Sequence, residues 1–341
     1  MTLEISSNRR AEIKKHVLGT LQNYGQPHVP VKIGNIIRQM HNVKLITYSS
    51  QIKKHNITYD ELIVDAETKD SYAVWNSTSD RYCIYYNDID YNIVSSNRVR
   101  WNLAHELGHI VLEHHKSCKH HKLFRDGLAS SIYDYLEEEA NYFAQLILVP
   151  HVVLYSFKIK NANQLKTLCK ISGPAANRRF YAYQMWINHM HENIEYDKPL
   201  FYYYHDFIFK KHCATCGAQF ILEKGKYCPI CGNKTLQWGD GNMIYKKLPA
   251  TDTGKLLECP ICKNEETNLE GTYCQICGVE LVNHCSNPEC NSTDPLPTNA
   301  RHCPICGWEA TFLHLGILNE WDYQEPVDDY IDVPYEELPF N

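Results

Sequence analysis

Residues 102–115 read Asn-Leu-Ala-His-Glu-Leu-Gly-His-Ile-Val-Leu-Glu-His-His, and 28 residues after His109 stands Glu137, in a second stretch of helical periodicity. His105 and His109 are four apart, so on a helix they sit one above the other on a single face. That spacing lets both imidazoles reach one zinc ion, with Glu106 between them placed to accept a proton from an attacking water. Two histidines and one carboxylate leave a tetrahedral ion one position short, as a hydrolytic zinc requires.

Helix geometry narrows the third ligand. Glu137, Glu138 and Glu139 are consecutive, and their directions differ by about 100° per residue, so only one can face the metal. Glu137 is favoured because Asn141, one turn later, can hydrogen-bond a ligating histidine from behind. Glu138 and Glu139 are then expected on a solvated face. Leu103, Leu107, Ile110 and Val111 form the apolar stripe of the first helix. Leu136, Ala140, Phe143, Ala144 and Ile147 form that of the second, which Ser131-Ile-Tyr-Asp134 opens as a capping box and Pro150 ends.

Upstream, residues 8–21 read as an amphipathic helix with Ile13, Val17 and Leu21 on one side, and a second helix runs through Ile33, Ile36, Ile37 and Met40. Val43 to Tyr48, Glu61 to Asp65, Ser71 to Trp75 and Arg81 to Tyr86 read as strands. Downstream, residues 162–192 are helical with a break at Ser172-Gly173-Pro174, and the tyrosine-rich run from Pro199 to Lys210 looks strand-like. The fold class expected is α+β: a zincin-like metallopeptidase domain over 1–155 and a further helical segment over 156–200 that completes it, followed by small metal modules.

Those modules come from the cysteines. Of 15, twelve lie between Cys213 and Cys306 in paired short spacings. Cys213, Cys216, Cys228 and Cys231 make one four-cysteine ribbon within 205–247. Cys259, Cys262, Cys274 and Cys277 repeat it within 255–281. Cys285, Cys290, Cys303 and Cys306 make a third, with a wider first knuckle, within 282–318. Four-thiolate sites are closed, so three structural zinc ions are expected beside the single catalytic one. A redox role for paired cysteines fits less well, because all three quartets are complete. Cys83, Cys118 and Cys169 stand outside the array. Cys83 or Cys118 could in principle occupy the open metal position and hold the site latent, but a buried or idle thiol is the simpler expectation.

Charge is unevenly placed. The net charge of −6 divides into +4 for residues 1–200, +4 for 201–250 and −14 for 251–341. Any nucleic-acid contact, single-stranded DNA included, is therefore expected before residue 250, where Lys210, Lys211, Lys224, Lys226 and Lys234 neighbour Phe220, Tyr227 and Trp238. The tail over 319–341 is acidic and reads as disordered or as a docking peptide. The start is charged and lacks an apolar signal core, and no apolar run is long enough to span a bilayer, so a cytoplasmic protein without membrane partners is expected.

HELGH followed by EEEANYFAQLILVP resembles the ImmA/IrrE family of metallopeptidases, which pairs HExxH with a helix ending in a Leu-Leu-Met-Pro-like run. The lead-in Arg98-Val-Arg100-Trp-Asn-Leu-Ala also fits, and the resemblance spans roughly residues 10–195. Val149 stands where Met is usual, and the loop from 114 to 131 is unusually rich in His. Carried over by position, the resemblance makes His105, His109 and Glu137 the zinc ligands and Glu106 the general base. It further implies a regulatory protease that cuts an XRE-type helix-turn-helix repressor and so switches on a mobile-element, stress or defence operon. Within 161–179 the run NANQLKTLCKISGPAANRR looks like the family's helix-turn-helix-like segment, with Arg178 and Arg179 as contacts for phosphate or an acidic partner. The alternative is a nucleic-acid-binding regulator whose metal site is secondary; a broad degradative peptidase is a third reading, against which the appended ribbons weigh.

Overall fold

The computed structural model describes residues 5–95, 97–123, 129–189, 194–267 and 270–324. It divides into two compact units, Met1–Ile208 and Phe209–Asn341.

The first unit opens with α1 (Ser7–Tyr24), which buries Ile13, Val17 and Leu21, and α2 (Ile33–Gln39), which buries Ile33, Ile36 and Ile37. β1 (Val43–Thr47), β2 (Ser71–Asn76) and β3 (Arg81–Tyr86) form a three-stranded sheet in the order β1-β3-β2. β3 runs parallel to β1 and antiparallel to β2, pairing Leu45 with Ile84 on one side and Ala73 with Ile84 on the other. Between β1 and β2 lie α3 (Tyr48–His55) and α4 (Tyr59–Ala66). α4 replaces the strand expected at Glu61 to Asp65. Thr58 accepts from the Glu61 amide while the Glu61 carboxylate accepts from the Thr58 amide. That reciprocal cap starts a helix where Ile63 and Val64 alone suggest extension.

After α5 (Tyr91–Ser95) comes α6 (Arg98–Val111), one turn longer at its start than its apolar stripe indicates. Arg98 and Asn102 both bind Asp70, just before β2, at 2.6 and 3.0 Å. These contacts tie the first turns of α6 to the sheet edge. α7 (His114–Cys118) follows, then α8 (Ser130–Leu148). No side-chain cap is found at the start of α8, whose N-cap is Ala129, so Ser131 to Asp134 is not a capping box but part of the first helical turns. α6 and α8 cross closely because Gly108 faces Ala140. A Cβ on Gly108 would stand 3.1 Å from both the Cα and the carbonyl oxygen of Ala140.

α9 (His151–Ser156), α10 (Ala162–Cys169), α11 (Gly173–Asn188) and α12 (Ile194–Phe209) complete the unit. α10 and α11 pack as a pair joined by a short turn, with Ser172 capping α11. Arg100 of α6 holds the end of α10, donating to the carbonyls of Cys169 and Lys170 at 2.7 Å. α12 overturns the strand expected from Pro199 to Lys210. Leu200, Tyr204, Phe207 and Ile208 are buried at helical spacing, so tertiary burial outweighs the β preference of a Tyr- and Phe-rich run.

In the second unit β4 (Lys210–Cys213) pairs antiparallel with β5 (Gln219–Ile221) and with β6 (Leu236–Trp238), and α13 (Thr311–His314) packs Phe312 against Leu256, Cys259, Cys274 and Leu281. The first and third ribbons join through their second knuckles. Pro304 O accepts from the amides of Lys226 and Tyr227, and Pro229 O accepts from those of Arg301 and His302. The glycine after each knuckle faces the aromatic residue before the other: Gly232 faces His302, and Gly307 faces Tyr227. The acidic tail expected from residue 319 lies outside the described residues beyond 324.

Candidate active site

α6 and α8 bring three sequence-distant acceptors to one point. His105 Nε2 and His109 Nε2 stand 3.1 Å apart, and Glu137 places Oε2 3.3 Å from the first and Oε1 3.3 Å from the second. Imidazole lone pairs and a carboxylate repel one another at such distances unless a cation lies among them. Zinc bonds of about 2.0–2.1 Å at tetrahedral angles separate ligand atoms by roughly 3.3 Å, so the donor set and its spacing suit that ion.

Each histidine is held from behind. Asn141 Oδ1 accepts from His105 Nδ1 at 3.2 Å, and His114 Nδ1 lies 2.9 Å from His109 Nδ1. Glu138 is exposed. Glu139 is not: it is 1% exposed, against the solvated face expected for it. Arg9 of α1 grips it through two hydrogen bonds of 2.6 and 2.8 Å, and His114 Nε2 lies 2.9 Å from its Oε2. A partner 130 residues earlier leaves no trace in the local pattern, so period alone put Glu139 in water.

The electrostatics follow from burial. Burial pushes His109 down to about 3, with Glu137 opposing only in part, so its ring is neutral and able to bind metal at neutral pH. Burial works against the Glu137 carboxylate, but the His105 and His109 imidazoles facing it prevail and hold it well below the usual range. Glu106 moves the other way, raised by burial although Ser71 Oγ donates to its Oε1 at 2.9 Å. A buried carboxylate with raised proton affinity is suited to taking and returning a proton.

These groups open into a groove of about 480 Å³ bounded by β2, α6 and α8. Ser71, Tyr72 and Ala73 form one wall, and Tyr133, one turn before Glu137 on α8, forms part of another. Sequence reasoning missed Ser71, His114, Glu139, Arg9 and Tyr133. Only Tyr133 carried a usable signal, its four-residue spacing from Glu137. Arg98 and Trp101 line both this groove and an adjoining cavity of about 370 Å³ that also touches Arg178 and Arg179. The Arg179 guanidinium lies 5.4 Å over the Trp101 ring.

Neither Cys83, on β3, nor Cys118, at the end of α7, is among the residues lining the groove. Cys169 is buried, which pushes its thiol up to about 12.

The three cysteine quartets also assemble. Within each, the four Sγ atoms lie within 4.8 Å of one another. Cross-pairs such as Cys213–Cys231 and Cys259–Cys277 stand 3.5 Å apart, far beyond a disulfide and close to the spacing around a tetrahedral thiolate-bound metal. In the first ribbon two rings each carry a lysine over one face: Lys210 Nζ lies 4.9 Å from the centre of Trp238, which stays exposed, and Lys234 Nζ 4.8 Å from that of Tyr227.

Residues 52–180 match the Peptidase M78 family model, the IrrE N-terminal-like domain. This region of the chain is therefore an M78 metallopeptidase-like domain, joined to three four-cysteine metal-binding clusters. The match includes the HExxH helix and α8 and excludes α1. No curated protein matches the chain. No helix among the described residues is long and apolar enough to cross a membrane.

Proposed function

We propose that the chain is a zinc-dependent, site-specific endopeptidase that cuts a helix-turn-helix repressor and so induces the genes it silences. The convergence of His105, His109 and Glu137 beside the buried Glu106, opening into a groove of about 480 Å³, carries this reading. His105, His109 and Glu137 would hold the zinc, which supplies polarisation of the scissile carbonyl and acidification of the attacking water. Glu106 accepts the proton of that water and returns it to the leaving amine, Ser71 fixing the carboxylate in the orientation both transfers need. The phenol of Tyr133, on the groove wall, donates to the carbonyl oxygen as it gains charge. The ribbons, with structural zinc, recruit the substrate or sense the inducing signal.

The test is co-expression with the helix-turn-helix repressor encoded nearest to this chain, reading intact masses of that repressor. Wild type and Glu106→Gln are run in parallel, with and without single-stranded DNA. One cut made by wild type alone supports the proposal and gives the scissile bond. An intact repressor in every lane, from a chain shown to carry its groove metal, rules out that substrate. Salt-dependent DNA retention, with regulatory output unchanged by Glu106→Gln, would favour the nucleic-acid-binding alternative.

A further inference from the structure

We infer that His114, oriented by Glu139 and Arg9, fixes the ring tautomer of His109, so that α1 is a working part of the metal site. The inference rests on His105, His109 and Glu137 as a metal-binding trio and not on any peptidase activity.

Hydrogen-bond bookkeeping gives the direction of each proton. Arg9 can only donate, and it donates to both oxygens of Glu139. The carboxylate can only accept, so His114 Nε2 donates to Oε2 across 2.9 Å. His114 then has Nδ1 free as an acceptor, and across the 2.9 Å contact His109 Nδ1 must be the donor. With its proton on Nδ1, His109 presents a lone pair at Nε2, the atom that faces His105 and Glu137. The opposite arrangement needs a doubly protonated His114. It would add a buried cation next to Arg9, which bonds both Glu139 and the exposed Glu12, and it would place a proton on His109 Nε2 where the metal binds. His114 and Glu139 are each 1% exposed, so no water competes for these bonds.

Metal-ligating histidines commonly donate their second nitrogen to a carboxylate. Here a second histidine is interposed, and the carboxylate is anchored by a helix that lies before the matched M78 region. His114, Glu139 and Arg9 are positioning residues, not catalytic ones.

The test uses the full chain with its three cysteine sites already zinc-loaded, titrating the fourth site with zinc against a chromophoric chelator. His114→Leu should weaken that site about 10–100-fold. His114→Gln, whose amide can accept from His109 and donate to Glu139, should recover most of the affinity. Arg9→Met should fall between wild type and His114→Leu. In parallel, ¹⁵N spectra of the zinc-loaded wild type, assigned through His109→Gln, should show His109 protonated at Nδ1 and coordinating through Nε2. That reading stands even if His114→Leu fails to fold. Coordination through Nδ1, wild-type affinity in a folded His114→Leu, or no recovery in a folded His114→Gln would each overturn the inference. A wild type that takes no fourth zinc would overturn it together with the metal reading. A chain that takes the fourth zinc but cuts nothing would count against the peptidase reading alone.

Discussion

Gly108 faces Ala140 across the crossing of α6 and α8, so closely that a methyl group there would stand 3.1 Å from the Ala140 backbone and press the helices apart by a few tenths of an ångström. The same crossing sets how far Glu137 stands from His105 and His109, so packing and metal geometry share one contact. Gly108→Ala should therefore do two things. It should cost about 1–3 kcal/mol by overpacking, read as a lower denaturation midpoint. It should also weaken zinc at the groove, because the helices can part only by carrying Glu137 away. Lost stability with unchanged zinc affinity would show that the two are separable.

His151 gives the first unit an acid sensitivity of its own. Its ring packs against Tyr183 and Trp186, with centroids 5.8 and 5.6 Å away. Burial, with Arg179 and Lys14 adding their charge, lowers it from 6.5 to about 4. The unfolded chain takes up this proton at higher pH than the folded one. Stability is thus fully present above about pH 6.5 and is lost as pH falls towards about 4. His115, lowered to about 4 by burial, contributes with the same sign, so the informative quantity is a difference. Chemical denaturation of His151→Phe across pH 4–7 should give a shallower pH slope than wild type, and parallel slopes would refute the assignment.

Tyr133 separates metal binding from turnover. If its phenol serves the carbonyl oxygen, Tyr133→Phe should lower kcat about 10²–10³-fold. Zinc affinity at the groove should stay unchanged, since the ring is no ligand. A variant as active as wild type on the cleaved repressor would remove Tyr133 from the mechanism.

Metal removal should divide the chain at about residue 209. The buried cluster of the first ribbon is Cys213, Cys216, Ala218, Cys228, Ile230 and Cys231, mostly the thiols themselves. Units built this way depend on metal to fold. A strong chelator should expose 209–324 to protease while the helices of the first unit, with their aliphatic core, persist. Simultaneous digestion of both units would contradict this division.

Much of this was legible beforehand, for identifiable reasons. The metal helix, α8 and the cysteine quartets announce themselves through short, fixed spacings that chemistry demands. β1, β2 and β3 show in alternating apolar residues bounded by turns. The failures share a cause: something outside the local pattern decides. At Tyr59 to Ala66 the deciding feature was the cap formed by Thr58 and Glu61, a signal present in the sequence but outweighed by Ile63 and Val64. At Pro199 to Lys210, aromatic β preference hid the helical spacing of Leu200, Tyr204 and Ile208. Glu139 could not have been read at all, because its burial is set by Arg9 on α1. The same holds for Ser71, whose hydroxyl matters only once the fold lays β2 beside α6.

The paired knuckles of the first and third ribbons would make two metal sites, once filled, into one thermodynamic system. Each carbonyl in that contact, Pro229 O and Pro304 O, lies between the two cysteines of a knuckle whose shape a bound metal would maintain. An ion lost from one ribbon would then free a knuckle that the other needs as a wall. Linkage is reciprocal, so the affinity each ion lends the other must be equal in both directions. Scarcity would then empty the two together over a narrow range of free metal, a threshold that neither quartet alone could set.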